Sequence, residues 1–389
     1  MNHRPVIMTF VAYYLPGYKS GGPVRSLANM VERLSSDFDF RIVTADHDCT
    51  DREAYEGVPR DHWCTVGKAS VYYTNPAQLT FGKIRRILCA ADYDIMYINS
   101  FFCPAFSVRP LLLRFLGKVP TRPIVLAPRG ELASGALRLK WARKSAYLKA
   151  AGLLGVYKDI VWQASSEFEL KDIQRSLGKA AEDIIVAPNI PASTLKHEIV
   201  LTRHEGPLRI CFLSRICRTK NLDFALRVLA DVSVPIDFTI CGVVEDPGYW
   251  EECRLRMSRT PSHVKITFLG AVEYERVPHV LSQHDLFFLP TLGENYGHVI
   301  HEALSSGLPV LISDRTPWRD LSSAGAGWDL PLESPNAFRL VIEEYSALSN
   351  NERNGRRLRA QIHAQQCAAW NDSANANIGM FRTALRRGI

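Results

Sequence analysis

An alternation of short apolar runs and longer segments passes through this chain twice. Short apolar runs with β character at Val6–Ala12, Phe40–Thr44, Ser70–Tyr73, Ile95–Asn99, Ile124–Ala127 and Ile160–Ala164 are separated by longer stretches, among them helical patterns at Val24–Ser35 and Pro76–Ala90. The series then starts again, with strand-like runs at Arg209–Ser214, Asp237–Gly242, Lys265–Leu269, Leu286–Leu289 and Pro309–Ser313. Strands joined through helix-length segments form parallel sheets with helices on both faces. Between the two series lies APNIPASTLKHEIVLTRHEGPLRI, whose prolines, polar run and Gly206–Pro207 step read as a linker at about 190–206. The expectation is an α/β chain of two doubly wound, Rossmann-like domains facing across a cleft. The first spans 1–198 and the second 199–370, followed by a C-terminal helix at 371–389 that can pack back onto the first domain. In such sheets ligands bind beyond the carboxyl ends of the strands.

Composition sets the ligand class only loosely. Of 389 residues, 47% are hydrophobic and 22% charged, which is ample for real cores. A net charge of +7 is too mild to indicate nucleic acid or membrane by itself, and it suits a small anion such as a diphosphate. Nine cysteines, an odd number with no CxxC pair, sit partly in apolar runs such as ICFLSRIC and FTICG. They act there as small hydrophobes, which points to a reducing compartment and away from a disulfide framework or a zinc site. The N-terminal MNHRPVIMTFVAYYLPG lacks the form of a secretory signal, and no run of 18 apolar residues occurs. The expected location is cytoplasmic. The stretch 137–154, LRLKWARKSAYLKAAGLL, has five Lys or Arg among Leu, Trp and Tyr, so peripheral contact with the inner face of a membrane is also an expectation. No nucleic-acid-binding module surrounds it.

The segment richest in chemistry is LPTLGENYGHVIHEALSSGLPVLISDRTPW, from Leu289 to Trp318. A buried strand leads to a loop with Glu294; a helix follows from about Tyr296 to Ser306, and PVLIS forms the next strand. Glu294 and Glu302 would lie about 80° apart on one continuous helix. With Glu294 in the loop and Glu302 inside the helix, both can reach one ligand at the helix N-terminus. The N–H groups of Gly297, His298 and Val299 would point at that ligand, and the helix dipole favours a diphosphate there. In LSRICRTKN, Arg215 and Lys220 follow a strand end, where two cations can clamp the same diphosphate. Stabilising charge on a leaving group is often the largest catalytic effect. Each pair alone is ordinary surface charge; their order in one α/β half is what makes the set specific.

With these residues in hand, the chain resembles the family 4 glycosyltransferases, retaining enzymes of the two-Rossmann GT-B architecture. GENYGHVIHEALSSGLPVLIS is similar to that family's E-G-F-G-x-x-x-x-E-A-x-A-x-G-x-P-V segment, with Asn295–Tyr296 where Gly–Phe is commoner. SRICRTKN resembles G-R-x-x-x-x-K-G, with Ser214 and Asn221 in place of glycines. YKSGGPVRSLANMVERL resembles the family's glycine-rich loop and helix. APRGELASGALRLK resembles a segment of a subgroup associated with bacterial cell-surface polysaccharide and lipopolysaccharide assembly.

The resemblance implies that Glu294 contacts donor-sugar hydroxyls, Glu302 holds the ribose, and Arg215 and Lys220 bind the diphosphate. Gly21 and Gly22 would let the first domain close over the phosphates, and Gly270 to Val272 would lie beside the base. Tyr296, Gly297, His298 and Val299 complete the donor set. Family members often carry a first-domain His near the reacting sugar; here that place reads Pro128–Arg129–Gly130, so Arg129 is a candidate replacement on the acceptor side. The leaving phosphate would deprotonate the acceptor, with no protein nucleophile.

Three Asp-x-Asp triplets occur, at 37–39, 46–48 and 92–94. The first and third precede strands and read as turn residues. Asp46 and Asp48 follow a strand at its ligand end and can line the acceptor side. No metal site and no cofactor is expected. The expected partners are a nucleotide-sugar donor and a carbohydrate or lipid-linked acceptor. Two other readings stay open: a nucleotide-sugar epimerase on the same architecture, and a non-catalytic subunit that binds a nucleotide or polysaccharide. A dehydrogenase is disfavoured, because no strand is followed by a full GxGxxG turn.

Overall fold

A computed structural model describes residues 4–133, 137, 141–191, 206–367 and 370–387. The chain divides into two compact units, Met1–Ile190 with Trp370–Ile389, and Pro191–Ala369. Both are doubly wound, mainly parallel sheets, as the twofold alternation implies.

The first unit holds β1 (Val6–Phe10), β2 (Asp39–Ala45), β3 (Trp63–Val66), β4 (Ala69–Thr74), β5 (Ile95–Ile98), β6 (Ile124–Leu126), β7 (Ile160–Ala164) and β8 (Asp183–Val186). Their order is β3-β4-β2-β1-β5-β6-β7-β8, with β3 antiparallel to β4 and the other neighbours parallel. Strands β1, β5, β6 and β7 are buried along their whole length, which is why they read as unbroken apolar runs rather than alternating ones. The sequence pattern misses β3 and β8. Both are four-residue edge strands that are only partly buried, so neither carries an apolar run long enough to register.

Two apolar layers flank this sheet. One gathers Met8, Phe10, Ile84, Ile98 and Trp162; the other gathers Ile7, Leu27, Ile42, Tyr97 and Val161. The second layer includes Met380 and Phe381 of the C-terminal helix Trp370–Arg387, with the Phe381 ring 5.4 Å from both Phe38 and Tyr97. Asn377 fastens that helix from inside. Its Oδ1 accepts from Gln163 Nε2 at 3.0 Å, and its Nδ2 donates to the carbonyls of Pro188 at 2.8 Å and Ser373 at 2.7 Å.

Two helical expectations shift. The second helix runs Phe81–Ala90, because Thr80 caps it by accepting the Lys83 N–H, while Asn75 Oδ1 accepts the Ala77 N–H and turns the preceding residues. The basic stretch forms a helix over Trp141–Leu153, whose Tyr147 and Leu148 pack on the core and whose Leu153 is exposed. The rest of that stretch, 138–140, lies outside the described residues, as does most of the expected linker, 192–205. No described helix is long and apolar enough to cross a membrane.

The second unit holds β9 (Leu208–Leu213), β10 (Ile236–Cys241), β11 (Val264–Gly270), β12 (Leu286–Leu289), β13 (Val310–Ser313) and β14 (Gly327–Leu330), in the order β11-β10-β9-β12-β13-β14, all parallel. The winding direction reverses between β9 and β12, so their carboxyl ends open a crevice of the kind that receives ligands. At the opposite end, Arg209 clasps the buried Asp285 carboxylate with two guanidinium bonds of 2.8 and 3.0 Å and its own N–H at 3.0 Å, fixing the register of β9 against β12.

Candidate functional site

The two cations expected after β9 lie on one short excursion. Beyond β9 the chain passes Arg215, touches the β10 side through the Ile216–Val244 bridge, and makes a 3-10 turn at Arg218–Lys220. Gly242 is required beside it: a Cβ there would lie 1.7 Å from the Ser214 carbonyl oxygen. Asn221 ends the turn in the left-handed region at φ 59°, a conformation Asn tolerates better than most residues. Its Nδ2 also donates to the Pro290 carbonyl at 3.0 Å. This accounts for Asn where the resembling family carries Gly.

That turn is bolted to the loop after β12. The Leu292 N–H donates to the Thr219 carbonyl at 2.7 Å, and Thr291 Oγ1 donates to the same oxygen at 3.0 Å. From the other side, Ser313 Oγ donates to the Thr291 carbonyl and the Glu294 N–H to the Arg315 carbonyl at 3.1 Å. The result brings Lys220 Nζ into direct contact with Glu294 Oε1, both side chains only 12% exposed. Arg215 is paired as well: its guanidinium donates to Glu245 Oε2 at 2.5 Å. Glu245 was not foreseen from the sequence. Its signal is the GVVE stretch directly after β10, where the chain turns back towards Ile216. Burial raises the Cys217 thiol pKa, helped by Glu245 and opposed by Arg215 and Lys220, so both cations lie within electrostatic reach of that one sulfur.

The helix after Glu294 begins two residues later than expected, at His298, and ends at Ser305. Gly297 is its N-cap at φ 79°, and the chain must turn there before the helical carbonyl ladder can start. The Gly297 carbonyl already accepts from Ile300 and His301. In an α-helix the first N–H groups have no partner within the helix and carry the positive end of its dipole. Tyr296 is anchored rather than helical. Trp318 Nε1 donates to its carbonyl at 2.6 Å, and the rings of Tyr296 and His298 lie 4.7 Å apart. Burial, then Cys367 and Glu302, raise the Tyr296 phenol pKa, which sets the Glu302 carboxylate near that ring. Burial lowers the neighbouring His301 to about 4, so it is a neutral core imidazole. Val299 and Val272 pack against the apolar core of this unit, Val272 two residues beyond Gly270, where β11 ends at φ 72°. Arg218, Tyr249, Glu252, Arg256 and Leu292 line a shallow groove of about 540 Å³ beside the turn. Its charges are matched among themselves, Arg218 with Glu252 and Arg256 with Asp223, so it offers no net attraction for an anion.

The remaining residues belong to the first unit. Gly21 caps the helix Gly22–Leu34 at φ 68°. Asp48, expected on the acceptor side, is instead turned on its own chain. It is buried, Oδ2 accepts the N–H groups of Tyr18 at 2.7 Å and Lys19 at 3.0 Å, and Oδ1 that of Cys49 at 2.7 Å. Its carboxylate holds the glycine-rich loop and has little left for a ligand. Arg129 is likewise committed, to Asn99 Oδ1 at 2.5 Å, the Tyr97 hydroxyl at 2.6 Å and Asn189 Oδ1. An acceptor contact from Arg129 would have to break that network. Asp46 is buried and pairs with His47. Among the described residues no group of three or more His, Cys, Asp or Glu is placed to hold a metal ion.

The second unit matches, over residues 195–359, the family model described as glycosyl transferases group 1. No curated protein matches the chain in sequence. Anabaena HepE, solved in complex with UDP and glucose, superposes with a TM-score of 0.68 at 18% identity, over 98% of this chain and 99% of its own. Sucrose-phosphate synthase from Thermosynechococcus elongatus gives 0.73 at 14%, over 99% and 100%. WaaG, a glycosyltransferase involved in lipopolysaccharide biosynthesis, gives 0.65 at 14%, over 95% and 98%. At such identities the structural likeness speaks to the fold, and the sequence match to the second unit. Residues 195–359 thus match the glycosyl transferases group 1 model, and the chain as a whole has the GT-B fold.

Proposed function

We propose that this chain transfers a sugar, with retention of configuration, from a nucleotide-diphosphate sugar to a hydroxyl of a carbohydrate or lipid-linked acceptor in cell-surface polysaccharide synthesis. The observation that carries the reading is the Lys220–Glu294 contact at the switch point between β9 and β12, one turn from the Gly297 helix start. It puts a cation, a carboxylate and the positive end of a helix at one crevice of a glycosyltransferase group 1 domain. HepE, of the same fold, was solved with UDP and with UDP-glucose.

Each cation has an acidic partner, Arg215 with Glu245 and Lys220 with Glu294. A diphosphate offers both cations a stronger, doubly charged partner, and the helix amides add to it. Released from Lys220, Glu294 can accept hydrogen bonds from donor-sugar hydroxyls, while Glu302 serves the ribose. As the glycosidic bond breaks, the same cations stabilise charge on the leaving diphosphate. The acceptor oxygen bonds to the anomeric carbon on the face the diphosphate leaves, and a phosphate oxygen of that diphosphate takes its proton, which preserves configuration without a protein nucleophile. Two cations and a helix terminus can supply this stabilisation without a metal.

The test is a binding and turnover series. The unmodified chain should be stabilised against heat by one of UDP, GDP or ADP, and more by that nucleotide than by its nucleoside. Lys220→Ala and Glu294→Ala should each lower turnover at least about a hundredfold, the range for loss of one charge-stabilising group, with folding intact and activity persisting in excess EDTA. Binding of no nucleotide, or full turnover in both variants, refutes the reading. An epimerase would instead alter the donor sugar without any acceptor.

A further inference from the structure

The acceptor-side pair expected from the sequence splits in the fold: Asp48 holds the glycine-rich loop, while Asp46 holds a histidine. We infer that His47, oriented by Asp46 and flanked by Tyr13, is a saccharide-hydroxyl contact of the first unit, accepting a hydrogen bond at Nε2. This rests on the transferase reading for its biological sense, but its geometry stands apart from the donor site.

Three observations carry it. The first is position. His47 lies two residues past β2 and Tyr13 three past β1, both at the carboxyl edge of the sheet. The winding of this sheet reverses between β1 and β5, so the edge beside β1 is where a ligand is received. The second is rigidity. Asp46 is 3% exposed, its N–H donates to the Thr74 carbonyl at 3.1 Å, and its carbonyl accepts from the Tyr55 N–H at 2.8 Å. Its carboxylate lies 2.9 Å from His47 Nδ1 and 3.7 Å from the Arg60 guanidinium.

The third is chemistry. A carboxylate only accepts, so the His47–Asp46 bond requires a proton on Nδ1; of the two uncharged tautomers it selects the one whose Nε2 is an acceptor. Among the described residues no partner meets Nε2, and the side chain is 19% exposed. The Tyr13 ring stands edge-on to the imidazole with centroids 6.4 Å apart, an apolar wall beside a polar one. An acceptor lone pair backed by a buried carboxylate repels anions and selects O–H donors. An aromatic wall beside such an acceptor suits a sugar ring, which presents both hydroxyls and C–H faces.

The experiment uses the full chain, labelled with 15N-histidine, and assigns His47 by difference from His47→Gln. The probes are the methyl glycosides of β-D-glucose, β-D-galactose and α-D-mannose. The expected result is the Nδ1–H tautomer for His47, with its Nε2 resonance shifted by at least one glycoside. By saturation-transfer measurement that glycoside should bind His47→Leu roughly tenfold more weakly, the worth of one hydrogen bond, and His47→Gln nearly as well as the unmodified chain, because its amide oxygen can take the place of Nε2. An Nε2–H tautomer, no shift with any glycoside, or equal binding by His47→Leu overturns the inference. Should His47→Leu fail to fold, the tautomer and the shifts in the unmodified chain still decide. The nucleotide screen on the unmodified chain judges the transferase reading separately.

Discussion

Gly293 and Gly297 lie four residues apart in the loop that carries Glu294, and the structure assigns them opposite tolerances. At Gly293 an added Cβ would meet nothing within 4 Å, and the backbone is outside the positive-φ region. At Gly297 φ is 79°, and a Cβ would lie 2.8 Å from Ile300 Cδ1 and 3.4 Å from Trp318 Nε1. The Ile300 methyl can swing aside; Trp318 cannot move freely, because it donates to the Tyr296 carbonyl at 2.6 Å. A left-handed alanine costs about 1–2 kcal/mol, and overpacking adds about 1–2 kcal/mol. Gly297→Ala should therefore lose about 2–4 kcal/mol, and Gly293→Ala should stay within about 0.5 kcal/mol of the parent. For a unit of this size that is a fall in Tm of about 4–16 °C against less than about 2 °C, read by differential scanning calorimetry of the two variants side by side. Equal midpoints would mean that the helix does not start from a left-handed Gly297. The anion-binding geometry derived from that start would fall with it.

Two further outcomes follow from buried polar groups. His301 is lowered to about 4 by burial, against an ordinary 6.5. As pH falls below 6.5 the unfolded chain takes a proton that the folded chain refuses, so stability declines between pH 6.5 and 4 and levels off below that, by roughly 3 kcal/mol in all. Urea midpoints across that range should show the slope in the parent and its loss in His301→Gln; an unchanged slope would place the acid sensitivity elsewhere. Asp48→Ala removes the acceptor of three backbone N–H groups and should raise hydrogen exchange at Tyr18 and Lys19 by at least about tenfold, as expected when donors lose a buried partner. Exchange as slow as in the parent would show that the loop holds itself.

The class of fold and the elements around the candidate site can be read from the periodicity of the chain. Parallel strands buried on both faces must read as unbroken apolar runs, so Val6–Phe10, Ile160–Ala164 and Leu286–Leu289 were legible, as was the strand–loop–helix order around Glu294. Edge strands at Trp63–Val66 and Gly327–Leu330 were not, because half-exposed pairing leaves only a faint pattern. Which side chains meet emerges only once the strands are side by side. Nothing local distinguishes Asp46 from Asp48, yet one backs an imidazole and the other gathers backbone amides, since the loops after β1 and β2 fold onto them differently. Arg129 looked available until Asn99, Tyr97 and Asn189 closed on it, and Glu245 looked incidental until β10 brought it to Arg215. The helix Trp370–Arg387 could be drawn from its pattern, but its place on the first unit came from Asn377 and Phe381 finding partners more than 180 residues away. Periodicity is a property of neighbours in the chain, whereas the partner of a charge or a buried amide is set by which strands lie side by side.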